Sequence, residues 1–129
     1  MRHAAILFLG LFGCAVVPQD PAGPAEDSLA RALDGRVAGA AASCIPVATS
    51  IRSLAAIERR AIVYRQGQTV WVNRLSEECP GFHPIDTLIV EARSGRYCRD
   101  DLIRAATRAS SIPGPSCVLG EWVPYRNPS

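Results

Sequence analysis

The chain has 129 residues, 48% of them hydrophobic, with 14 basic against 12 acidic side chains and a formal net charge of +2. That length admits one domain at most, and charges of both signs interspersed along it, without a basic stripe, argue against a nucleic-acid partner. Every basic side chain is arginine, so no lysine amine exists for Schiff-base or Ser-Lys chemistry.

The N-terminus opens with the positively charged Met1-Arg2-His3, followed by an apolar run over residues 4–12 broken only by Gly10. A charged start, a short apolar core and small residues at its exit describe a secretory signal. A membrane span needs about 20 apolar residues. Leu11-Phe12-Gly13-Cys14 also resembles a bacterial lipobox, in which residues 1–13 are removed as signal peptide and Cys14 receives the lipid. Phe12 departs from the small or β-branched residue usual at that place. The alternative is cleavage after Ala15, which releases a soluble periplasmic protein. Ala15 is not Asp, so a lipidated chain is expected at the outer membrane, facing the periplasm, with the membrane as a partner through the anchor. Residues 14–27 carry Pro18, Pro21 and Pro24 at every third position and read as an extended tether.

Residues 28–129 are expected to form a single small β domain. Ser28 can cap a short helix over residues 28–34, with Leu29, Leu33 and Val37 at i, i+4 and i+8, and residues 35–43 read as a loop. Residues 44–51 alternate as a strand, with Pro46 marking an edge and residues 54–57 continuing after a bulge. Glu58-Arg59-Arg60 is a turn. Residues 61–65 and 68–74 flank a two-residue Gln66-Gly67 loop and form a hairpin that pairs Val63 with Val70 and Ile62 with Trp71. One face then carries Ala61, Val63, Val70 and Val72, and the other Ile62, Tyr64, Thr69 and Trp71. Neither face is polar, so both should be covered. The aliphatic face suits a barrel interior, and the aromatic face needs the helix, a second chain or a ligand as cover.

Residues 87–93 are a further strand, returning after Ser94-Gly95 along residues 96–103. Residues 101–109 are read as continuing strand rather than helix. Ile112-Pro113-Gly114-Pro115 is a rigid loop, residues 117–123 a last strand and residues 124–129 a tail. The expected fold is mainly β: a small antiparallel meander or partly open barrel of about six strands, with a short N-terminal helix and two disulfides. Apart from Cys14, four cysteines remain, an even count that reads as two disulfides in an exported domain. A zinc site from Cys79, His83, Cys98 and Cys117 is the weaker reading, because no C-x-x-C pair is present. In a six-strand meander Cys44 and Cys98 lie at one end and Cys79 and Cys117 at the other. The bridges Cys44–Cys98 and Cys79–Cys117 are therefore expected, since bridged Cα atoms lie within about 7 Å.

The segments DGRVAGAAASCIP, AIVYRQGQTVWVNR, CPGFHPIDTLIVE and SCVLGEWVPYR are similar to those of an uncharacterised family of small exported proteins from sphingomonad-type alphaproteobacteria. The resemblance covers roughly residues 33–126. It implies one small, exported, cysteine-containing domain and carries over no catalytic residue, because that family has no assigned activity.

His83 could act as a general base only with a nucleophile and an orienting acid nearby, and the sequence supplies no signature for either. Asp100-Asp101 and Glu77-Glu78 are carboxylate doublets, but neighbouring strand residues point apart, so turn caps and solvated charges explain them more simply. Ser43, Ser50 and Ser110 lack a G-x-S-x-G context. No cofactor motif is present. The cluster worth testing is Trp71 with Tyr64 and Ile62, a binding patch if left open and ordinary core if covered. Two functions are therefore expected: a non-catalytic envelope module that binds a protein, glycan or cell-wall component, or a small hydrolase-like enzyme using His83 with Asp86 or Asp100.

Overall fold

The computed structural model describes residues 13, 24–47, 54–83, 87–106, 112 and 114–129 of the chain. The first element among the described residues is helix α1, Pro24–Leu33. Proline suits the first helical position, where the N–H it lacks would have no partner within the helix. Glu26 and Asp27 fall in the first turn and Arg31 in the last, matching the helix dipole at both ends. The helix thus begins four residues before the expected Ser28 cap, and the last residues of the expected tether form its first turn. Ser28 lies inside it and donates its hydroxyl to Glu58 Oε1 at 3.2 Å. Asp34 and Gly35 take left-handed φ values of 46° and 72° and stop the helix. Val37 is therefore outside the helical stripe, exposed in a two-residue strand.

Ten short strands follow among the described residues: β1 (Val37–Ala38), β2 (Cys44–Pro46), β3 (Ala55–Ile57), β4 (Ala61–Gln66), β5 (Thr69–Arg74), β6 (Thr87–Glu91), β7 (Arg96–Cys98), β8 (Leu102–Ala106), β9 (Cys117–Val118) and β10 (Trp122–Arg126). They form an antiparallel five-stranded sheet in the order β1-β10-β5-β4-β3, a pair β2-β7 and a three-stranded sheet β6-β8-β9. The fold is mainly β with one helix, as expected, and its sheets do not close into a barrel. Three of the expected strands are divided. Residues 54–57 join a different sheet from residues 44–46, residues 96–98 leave their hairpin to pair with β2, and residues 117–123 split at Gly120. Pro124 and the two residues after it belong to β10, not to a tail.

The hairpin β4–β5 is present with its loop one residue further along. The two loop residues are Gly67 and Gln68, Gln66 pairs with Thr69, Val63 with Val72 and Tyr64 with Trp71. Only Gly67 has a positive φ, 57°, and glycine at the first loop position is what a type II′ hairpin turn requires. The shift changes partners but not alternation, so the two expected faces survive intact. Both are covered, by the opposite elements to those expected. Leu29 and Leu33 of α1 pack on Ala61, Val63, Val70 and Val72. The face carrying Ile62 and Tyr64 meets Trp122, Ile45, Leu88, Ile103, Leu119 and Phe82. A slim helix with a two-leucine stripe fits the flat aliphatic side, whereas the bulky aromatic side needs the larger volume that the two small sheets supply.

The two disulfides join Cys44 to Cys98 and Cys79 to Cys117. The pairs are those expected, although the simple meander is replaced. Cys44 and Cys98 are direct cross-strand partners of β2 and β7, with Cα atoms 4.0 Å apart. Cys79 is fully buried in the larger apolar cluster, and its bridge ties the segment after β5 to the edge strand β9.

Candidate functional site

The sequence-predicted residues fall in separate parts of the molecule. Cys14, Ser50, Asp86 and Ser110 lie outside the described residues. Ile62 is 0% and Tyr64 3% exposed, so both belong to the core. Trp71 packs against that core half-buried, its indole N–H donating to Gln66 Oε1 at 3.3 Å. The open patch thus reduces to the rim of one indole. His83 is exposed beyond the end of the segment that carries Cys79. The cysteines of the weighed zinc tetrad are committed to two different bridges. Asp100, with φ 71°, sits in a turn closed by the Asp101 N–H donating to Cys98 O at 3.1 Å. The Asp101 carboxylate is buried and accepts the Cys98 N–H at 2.8 Å. This doublet shapes a turn, as the simpler sequence reading held.

A cleft of about 500 Å³ lies beside the Cys79–Cys117 bridge. One wall is residues 76–78 with Pro80, and the other is Pro115, Ser116, Cys117 and Val118. The first wall is fixed through its backbone. Leu75 N–H donates to Arg60 O at 2.9 Å, and Cys79 N–H donates to Arg59 O at 2.8 Å, so the turn after β3 holds both ends of residues 76–78. Glu78 pairs with Arg59 at 3.2 Å and Arg60 at 3.5 Å. The opposite wall is held by Gly114 N–H on Ala105 O at 3.1 Å and Leu119 N–H on Asp101 O at 3.0 Å. A volume of this size lies within the usual range for ligand sites. The lining offers carboxylates, serine hydroxyls and two prolines, without His83 or Asp100.

The Glu77-Glu78 doublet and the proline loop are both legible in the sequence, but nothing local along the chain brings them together. The juxtaposition comes from the disulfide and from the pairing of β9 with β8. A second feature that went unread is Asn73, fully buried on the aromatic face. Its side-chain amide donates to Gly120 O and accepts the Gly120 N–H, both at 2.8 Å. That pair satisfies a polar group in an apolar layer.

An aromatic row runs through the larger apolar cluster. Tyr64 and Tyr97 meet edge-on at 5.8 Å, and Tyr97 stacks on Trp122 at 6.5 Å. Burial, with a smaller contribution from neighbouring Tyr64, raises the Tyr97 hydroxyl above the usual tyrosine range. Above the ordinary pKa the unfolded chain releases a proton that folded Tyr97 retains, so unfolding is favoured increasingly as pH rises. Below about pH 10 both states hold the proton and the contribution is flat. Tyr97→Phe should therefore leave the urea midpoint unchanged near neutrality and flatten its decline at alkaline pH. An identical alkaline limb in both proteins would show that Tyr97 does not titrate this way.

No protein-family model matches this chain, and neither a curated protein nor a solved structure shows significant similarity to it.

Proposed function

We propose that the protein is an exported, lipid-anchored module of the cell envelope that binds a partner protein and performs no turnover. The observation that carries the binding role is the cleft of about 500 Å³ beside the Cys79–Cys117 bridge, whose walls are fixed by backbone hydrogen bonds at both ends. A preformed recess lowers the ordering cost of binding. Two disulfides in a small domain favour an oxidising compartment. The charged start, apolar run and Gly13-Cys14 exit support export with Cys14 as the anchor. Outer-membrane attachment facing the periplasm is part of the same proposal, as is the likeness to small exported sphingomonad-type proteins.

The test is photo-crosslinking in intact cells from a reactive residue placed at Ser76 in the cleft wall, with Arg31 on the exposed side of α1 as control. Mass spectrometry then reads both the captured partners and the mature N-terminus. Envelope proteins captured from Ser76 and not from Arg31, with a chain starting at lipid-modified Cys14, are expected. Cleft crosslinks no different from the control, or an uncleaved Met1 start, would overturn the proposal.

A further inference from the structure

We propose that the occupant of this cleft is an extended segment of the partner polypeptide, which adds as a strand to the free edge of β9 and alternates apolar with basic side chains. The proposal rests on the binding reading above and names the chemistry of its ligand.

The backbone sets the mode. In the order β6-β8-β9, β9 has a partner on one side only among the described residues. Leu119 N–H points toward β8, donating to Asp101 O. Neighbouring residues of a strand direct their backbone groups to opposite sides, so Val118 turns its N–H and C=O away from β8. Val118 also lines the cleft. Neither group has a backbone partner among the described residues, and an outward N–H and C=O on a strand edge within a recess is the arrangement that strand addition uses.

The side chains set the chemistry. Val118 lies opposite Leu102, which lies opposite Glu91, on the outer face of the sheet. Val118 is 46% exposed and Ile89, on the same face, 43%. An apolar residue added beside Val118 would extend the apolar end of this row, Leu102 and Val118, and cover part of it. Cys117 points the other way, to Cys79, and so sets residues 76–78 on the opposite side of the strand from Val118. The next residue of an added segment would face that wall. There Glu78 is neutralised by Arg59 and Arg60, while Glu77 lines the cleft with no cation paired to it among the described residues. A basic side chain complements it.

The test is fluorescence anisotropy with the purified full-length chain and an acetylated, labelled peptide of alternating valine and arginine. Saturable binding is expected, with a valine–glutamate peptide at least about tenfold weaker and Glu77→Gln narrowing that difference. A peptide N-methylated at alternate amides should bind at least about fivefold more weakly, the loss of one interstrand hydrogen bond. Equal binding of the N-methylated peptide, or of the glutamate peptide, overturns the proposal. If the valine–arginine peptide fails to bind while cleft crosslinks from Ser76 persist, strand addition is wrong and the binding module stands; if the crosslinks fail too, the functional reading falls with it. Val118→Pro removes the outward N–H without touching a bond to β8. A concentration-dependent dimer that this substitution abolishes would make the occupant a second copy and overturn the partner segment.

Discussion

The double substitution of Cys79 and Cys117 by alanine is expected to lower the unfolding free energy by about 5 kcal/mol, and to cost more than the same change at Cys44 and Cys98. Loop closure alone predicts the reverse order. The bridges span 38 and 54 residues, and the longer loop gains about 0.3 kcal/mol more from the restriction of the unfolded chain. Packing outweighs that difference. Cys79 is fully buried among Leu75, Phe82, Leu88 and Leu119 in the larger cluster, whereas Cys44 and Cys98 are both half-buried. Truncating a buried sulfur removes contacts that a half-buried one does not make, a cost of about 1 kcal/mol or more. Urea unfolding of the two double variants, compared at equal m-value, checks the order. A larger loss on removing Cys44–Cys98 would mean that chain entropy governs and that the packing around Cys79 adjusts freely.

Replacing Asn73 by alanine should cost about 3 kcal/mol, although Asn73 is exposed to neither solvent nor ligand. Its amide is the sole link by which the aromatic face of β5 grips the link between β9 and β10 through Gly120 among the described hydrogen bonds. Alanine leaves both polar groups of Gly120 without those partners and opens a small void beside Trp122, the strand partner of Asn73. The position cannot be rescued from the other side, because a Cβ on Gly120 would stand 2.9 Å from Arg74 O. For a domain of this size the loss lowers the melting temperature by roughly 15 °C. Hydrogen exchange gives the sharper readout. The Gly120 amide should lose protection while the Leu119 amide, bonded to Asp101 O, keeps more of its own. Equal loss at both would mean global destabilisation and no specific latch.

The same link bears on the cleft. Gly120 lies in the short link between β9 and β10, so the Asn73 latch fixes where that link turns. Without it the wall carrying Ser116 and Val118 would be held by β8 and the Cys79–Cys117 bridge alone. Loosening the latch should therefore weaken binding in the cleft as well as stability.

Alternation with a period of two is a local property, and it is what the sequence by itself determined. The two faces of the β4–β5 hairpin, the need to cover both, the turn at Glu58-Arg59-Arg60 and the strand Leu102–Ala106 follow from residues close in the chain. The cysteine pairs were also legible, since only two ends of a small sheet were available to four thiols. Ser28 misled because its hydroxyl had a distant partner in Glu58, and Gln66-Gly67 because the glycine could take either loop position. Only the tertiary structure decided which cover went to which face, since that depends on matching the volume of Tyr64 and Ile62 to elements elsewhere in the chain. It also decided the cleft. Glu77 and Val118 come to line one cleft because a bridge spanning 38 residues and one edge strand bring their segments together, and no periodicity along the chain encodes a juxtaposition made by closing so long a loop.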